Sequence, residues 1–157
     1  MLLGLIVRAT KDVDVVARLD KDRLVPADPL PVALADAVAA VADDLGLAEN
    51  WLNPGPAALL DFGLPDGFVD RCVRRSFGGL EARIASRYDQ IHFKLYAATD
   101  QGPRSKHVGD LRQLSPKREE LLAAARWCRT HDPSEGFLLM LLRTLALLGT
   151  EVAREDA

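Results

Sequence analysis

Hydrophobic and polar positions follow two different rhythms along this chain. From residue 10 to 18, Thr-Lys-Asp-Val-Asp-Val-Val-Ala-Arg, the period is two. Val13, Val15 and Ala17 fall on one face and Asp12 and Asp14 on the other, which predicts a strand. Over residues 32–45 Leu34, Val38, Val41 and Leu45 recur at spacings of four, three and four, which predicts a helix. Pro29 and Pro31 suit its first turn and Gly46 its stop. Between these segments, residues 20–31 read as a charged turn followed by a proline-punctuated loop. Residues 50–67 read as a loop-rich cap over the core edge, with a helical turn at 57–62 and Trp51 as a packing anchor.

Alternation returns over 72–77 and 80–85, separated by Gly78-Gly79. That dipeptide tolerates the positive φ angles of a tight hairpin. Ser86-Arg-Tyr-Asp89 has the form of a capping box and predicts a helix over 89–99, with Ile91, Leu95 and Ala98 as its apolar stripe. Ser105 is expected to cap a short helix carrying Val108, Leu111 and Leu114. Ser115-Pro116 is expected to open the next, with Leu121, Ala125 and Cys128 inward and Arg126 and Arg129 outward. Asp132-Pro-Ser-Glu135 reads as a second capping box, starting a helix that ends near Gly149. Residues 137–148 are apolar nearly all round, so that helix is expected to be buried or to turn one flank to a partner. The order of elements predicts an α+β chain forming a single domain over 1–157. A core with a small mixed sheet spans 1–100, and a helical bundle follows over 101–157.

Composition narrows the class. A chain that is 48% hydrophobic and 27% charged is ordinary for a globular protein and unlike a disordered or fibrous one. No apolar run reaches membrane-spanning length, and the run at 137–142 is followed by Arg143. Residues 1–7 are too short and lack the basic start of a signal peptide. Two cysteines, Cys72 and Cys128, without a CxxC pair predict reduced thiols and a cytoplasmic protein, not a metal pair. The net charge of −3 is unevenly spread. Residues 1–60 carry five Lys/Arg against nine Asp/Glu, and residues 70–130 thirteen against seven. An acidic lobe and a basic one suit a site with metal on one side and phosphates or nucleic acid on the other.

Four places in the chain carry candidate chemistry. Asp12 and Asp14, two apart on a strand, share a side at roughly 7 Å between Cα atoms. They can converge on Mg²⁺, which takes oxygen ligands from one or two carboxylates plus substrate phosphates. A solvated strand face is the commoner fate of a bare Asp-x-Asp. Lys94 lies beside the apolar stripe of its helix, where a lysine either snorkels outward or reaches a phosphate. Lys106 and Asp110, four apart on one helix, have the spacing of an ordinary helical ion pair. Glu81 is either a third carboxylate or the partner of a nearby arginine.

Several of these segments together resemble a family. Arg8-x-Thr10-x-Asp12-x-Asp14-Val-Val, Ser86-Arg-x-Asp-Gln-Ile-x-Phe-Lys94-Leu-Tyr-Ala-Ala, Lys106-His-x-x-Asp110-Leu and His131-Asp-Pro-Ser-Glu-Gly-Phe137 look like an actinobacterial group of nucleotidyltransferase-like proteins. That group is related to the AbiEii toxins of abortive-infection systems. The resemblance runs from residue 8 to 149. It implies a minimal polymerase-β-type core in which Asp12 and Asp14 bind Mg²⁺ (or Mn²⁺). Arg8, Thr10, Lys94 and Lys106 would contact the nucleotide, and Asp110 would join the two strand carboxylates as a catalytic residue that orients or activates the acceptor. The implied reaction is transfer of a nucleoside monophosphate from an NTP to an RNA or protein acceptor, in a toxin–antitoxin setting with an antitoxin partner. A regulatory protein that keeps the fold without catalysis is the alternative. Two departures stand out: Thr99 occupies a position where relatives often have arginine, and the Gly-rich turn and strand–helix unit that normally precede the metal strand have no counterpart. On that reading the chain begins inside the fold, and the exposed edge left behind predicts a homodimer.

Overall fold

The computed structural model describes residues 12–154, and its elements fall into two compact units that meet in sequence between Leu64 and Pro65. In the first unit, β1 (Val13–Asp14) pairs in parallel with β4 (Leu52–Asn53), setting Val13 opposite Leu52 and Asp14 opposite Asn53. β2 (Ala17–Asp20) pairs antiparallel with β3 (Arg23–Pro26). Of the continuous strand expected over 10–18, residues 10 and 11 lie outside the described residues, and the rest forms two strands. The Val15 N–H still donates to the Asn53 carbonyl at 2.8 Å, after which the chain leaves β4 and enters its own hairpin. Val13 is 43% exposed, so a two-residue ladder does not give it the core face that alternation implied. The segment read as a loop after Asp22 contains β3, joined to β2 through Lys21 and Asp22 at φ +45° and +67°. Those are the left-handed angles of a two-residue hairpin turn.

α1 (Val32–Leu45) spans the predicted residues and stops at Gly46, whose φ of +60° lets its N–H reach the Ala42 carbonyl. Pro31 stands just before the first turn, not within it. Val38 and Ala42 are buried but Leu45 is 68% exposed, so the buried stripe is narrower than the periodicity. Trp51 anchors this helix as expected, its Nε1–H donating to the Val38 carbonyl at 3.0 Å. A 3₁₀ turn at Gly55–Leu60 replaces the one expected at 57–62.

The second unit opens with α2 (Phe68–Arg71) and the predicted hairpin, β5 (Val73–Phe77) against β6 (Leu80–Ile84). Four helices follow: α3 (Arg87–Gln101), α4 (Lys106–Leu114), α5 (Arg118–His131) and α6 (Glu135–Leu147). α3 is their hub and packs against the other three. Its Ile91, Leu95 and Ala98 are fully buried, in one cluster with Leu111 of α4, Leu121 and Cys128 of α5, and Leu141 and Leu145 of α6. Burying each large aliphatic side chain contributes about 1.5–3 kcal/mol, so this cluster is what holds the unit together.

Two helix starts differ from the sequence reading, and a proline explains each. Pro116 disfavours right-handed helical angles at Ser115. Ser115 therefore ends α4 at φ +47° instead of opening α5, and Lys117 takes the cap position, its N–H donating to Glu120 Oε2 at 2.8 Å. Pro133 likewise keeps Asp132 extended, so Ser134 caps α6 through the Phe137 N–H at 3.2 Å. α6 is not buried all round: Phe137, Leu138, Leu141 and Leu145 face the core, while Leu139 and Leu147 are 50% and 46% exposed. The α+β class stands. Among the described residues, however, the strands form three two-stranded sheets in place of one mixed sheet, and no helix is long and apolar enough to cross a membrane.

Candidate functional site

α3 and α4 bring together two of the residues singled out from the sequence. Lys94 projects from the flank of the α3 stripe, and its Nζ lies 3.2 Å from Oδ2 of Asp110 on α4. The Asp110 side chain is 2% exposed and that of Lys94 23%. A buried carboxylate requires a compensating charge, and here the cation supplying it still touches solvent. His107, one turn before Asp110, places Nδ1 3.9 Å from the same Oδ2. That is too long for a hydrogen bond. The spacing of His107 and Asp110 on one helix face was the available signal for it. Lys106 is exposed at the first position of α4.

Much of the segment around Lys94 has a structural task. Ser86 caps α3, its Oγ accepting from the Asp89 N–H at 3.3 Å. The Asp89 carboxylate does not return to the cap backbone as a reciprocal box would have it. It accepts from Ser86 Oγ at 2.5 Å and from Arg71 Nη2 at 2.6 Å. Arg71 also lies over the Tyr88 ring, 4.8 Å from its centroid, and passes so close to Gly67 that a Cβ there would stand 2.9 Å from Nη1. Arg87 staples three elements, donating to the carbonyls of Leu114 and Ser115 at 2.8 Å each and to Glu120 Oε1 at 2.7 Å. The Glu120 carboxyl is held below its ordinary range, chiefly by the Arg87 hydrogen bond. His92 is pushed down by burial. Its Nδ1 lies 2.9 Å from the Tyr88 carbonyl, which can only accept, so Nδ1 carries the proton. At the corner between α5 and α6, Arg129 donates to the carbonyls of Asp132, Pro133 and Ser134 at 3.0, 2.8 and 2.7 Å.

The strand carboxylates belong to the first unit. Asp14 is exposed at the end of β1, opposite Asn53, and Asp12 is half-buried just ahead of the strand. The Asn53 Oδ1 is engaged by the Gly55 N–H at 2.9 Å. Among the described residues no three His, Cys, Asp or Glu side chains are grouped to hold a metal. Two carboxylates alone fit Mg²⁺ that arrives with a nucleotide, whose phosphates complete its shell, and not a resident structural ion. Glu81 sits 3.3 Å from Arg83 on its own strand, the arginine-paired arrangement. Arg8 and Thr10 lie outside the described residues. In the first unit a shallow cleft is walled by Asp28 and Asp61 among prolines, alanines and a glycine. Having no cationic lining, it does not suit phosphate. Comparison with family models, curated proteins and solved structures finds no match.

Proposed function

We propose that this chain is a nucleotide-phosphate-binding protein of the nucleotidyltransferase type, with Lys94 as its phosphate contact. The reading is carried by the pairing of Lys94 with the buried Asp110. An ammonium held in place by a carboxylate beneath it is pre-oriented, and its exposed side can meet a phosphate oxygen without first losing rotamer freedom. Asp110 sets that orientation, and His107 stands 3.9 Å from the same carboxylate oxygen. Asp12 and Asp14 are the residues that would hold Mg²⁺. When bound, that ion supplies charge neutralisation on the phosphates. In the reaction proposed, an acceptor hydroxyl on RNA or protein gives up its proton to water and its oxygen attacks the α-phosphorus. The bond to the bridging oxygen breaks, and pyrophosphate leaves with the electron pair.

The test is calorimetric titration with ATP, CTP, GTP and UTP, with and without Mg²⁺, followed by incorporation of labelled nucleotide into total RNA and protein. Lys94→Met should abolish triphosphate binding, and Asp12→Asn with Asp14→Asn should abolish only its Mg²⁺-dependent part. Binding that is equal in all variants would refute the assignment. A second reading, a non-catalytic binder on the same scaffold that serves a toxin–antitoxin pair, is favoured by the pairing of Glu81 with Arg83. Binding without incorporation would select it.

A further inference from the structure

The outward flank of α6 is apolar where a surface helix should be polar, and its charges are arranged symmetrically. Leu139 is 50% exposed and Leu142 half-buried, with exposed Gly136 and Ala146 on the same side. Glu135 and Arg143 stand on this flank four residues either side of Leu139, each about 6 Å from it along the axis. In an antiparallel pair of such helices centred near Leu139, Glu135 of each copy stands level with Arg143 of the other. Leu139 then meets its counterpart, and Gly136 leaves room opposite Leu142. A parallel pair would set Glu135 beside Glu135 and Arg143 beside Arg143. Arg143 has no carboxylate partner within the described chain, its guanidinium reaching only Met140 Sδ at 3.9 Å. Glu135 is shared with Arg154 but its side chain remains 75% exposed.

We propose that α6 is a two-fold interface through which a second copy of this chain docks antiparallel, centred on Leu139. Self-complementarity is the requirement of such an interface, since each residue must find its mate on an identical surface. The two mirrored charge pairs satisfy it, whereas no feature of the flank selects a different protein. A single helix pair is a small interface, so the dimer should be weak, with dissociation on the order of micromolar.

Light scattering and sedimentation across a concentration series test this on the full chain, with circular dichroism confirming the fold of each variant. Wild type should shift from monomer to dimer mass, and Leu139→Glu should stay monomeric. In an Arg154→Ala background, which removes the competing own-chain pair, Glu135→Arg or Arg143→Glu alone should weaken the dimer on the order of tenfold or more. The two together should restore it. Leu139→Cys should cross-link to a covalent dimer under mild oxidation, because that residue lies at the axis. A wild type that stays monomeric at every concentration would overturn the proposal and leave the flank to another partner. So would a dimer indifferent to Leu139→Glu, or a double charge swap no better than either single one.

Discussion

Asp89 is completely buried at the start of α3, and the guanidinium of Arg71 closes over it with Nη2 at 2.6 Å from Oδ1. One side chain thus ties α2 to α3 across the intervening hairpin. Removing one partner of a buried pair is costly because it strands the other charge. Arg71→Met is expected to destabilise the second unit by about 2–3 kcal/mol, below the ~3–5 kcal/mol of a fully enclosed pair because Arg71 itself remains partly in water. Arg71→Lys should recover only part of the loss, since a lysine cannot reproduce the fork. Urea titration of the three proteins measures both.

Acid should destabilise the protein in two stages. His92 is held neutral by burial, its pKa below the ordinary value. Its contribution is therefore complete above about pH 6.5 and declines as pH falls from there toward its folded value. Glu120 is also depressed, by Arg87, so its contribution is complete above about pH 4.3 and is lost below that as pH falls through the folded value. His92→Leu should flatten the first decline and Glu120→Gln the second in melting temperatures recorded against pH. An unchanged profile in both variants would refute the assignments.

Lys94 and Asp110 can be separated into stability and binding by a double-mutant cycle. Lys94→Met removes the ammonium 3.2 Å from a buried carboxylate and should cost about 2–3 kcal/mol. Adding Asp110→Leu removes the buried carboxylate as well and should return most of that loss, while leaving triphosphate affinity abolished. Recovery of both stability and affinity in the double variant would mean that the lysine never met phosphate.

Burial pushes the Cys128 thiol well above the ordinary thiol range, and its Sγ lies 4.0 Å from the His92 carbonyl. Alkylation of Cys128 by iodoacetamide should therefore follow unfolding of the second unit and nothing faster. Cys72, half-buried, should react first. Mass spectrometry of timed samples distinguishes the two.

How much was legible in advance depended on whether local signals were unopposed. α1 combined periodic apolar residues with a glycine stop, and the hairpin across Gly78-Gly79 had both alternation and turn chemistry, so each appeared where expected. β3 was missed because its turn uses Lys21 and Asp22 at positive φ, a conformation these side chains adopt only when the paired strands require it. The caps of α5 and α6 each lie two residues beyond the expected ones, because a serine or aspartate before proline resembles a cap while the proline holds it outside the helix. For the site, spacing identified Lys94 and Asp110 separately and had no means of joining them. Only the packing of α3 on α4 brings Lys94 to Asp110.

Arg129 gathers three consecutive carbonyls at the corner where α5 turns into α6. A helix with an apolar outer flank is the kind of element that neighbouring molecules trade when its connecting hinge opens, each copy completing the other's core. With the corner fastened at three points by one residue, that exchange would first have to break all three bonds. Association through α6 is thereby confined to surfaces meeting. Arg129→Ala would be the change that opens the route to intertwined, slowly dissociating oligomers.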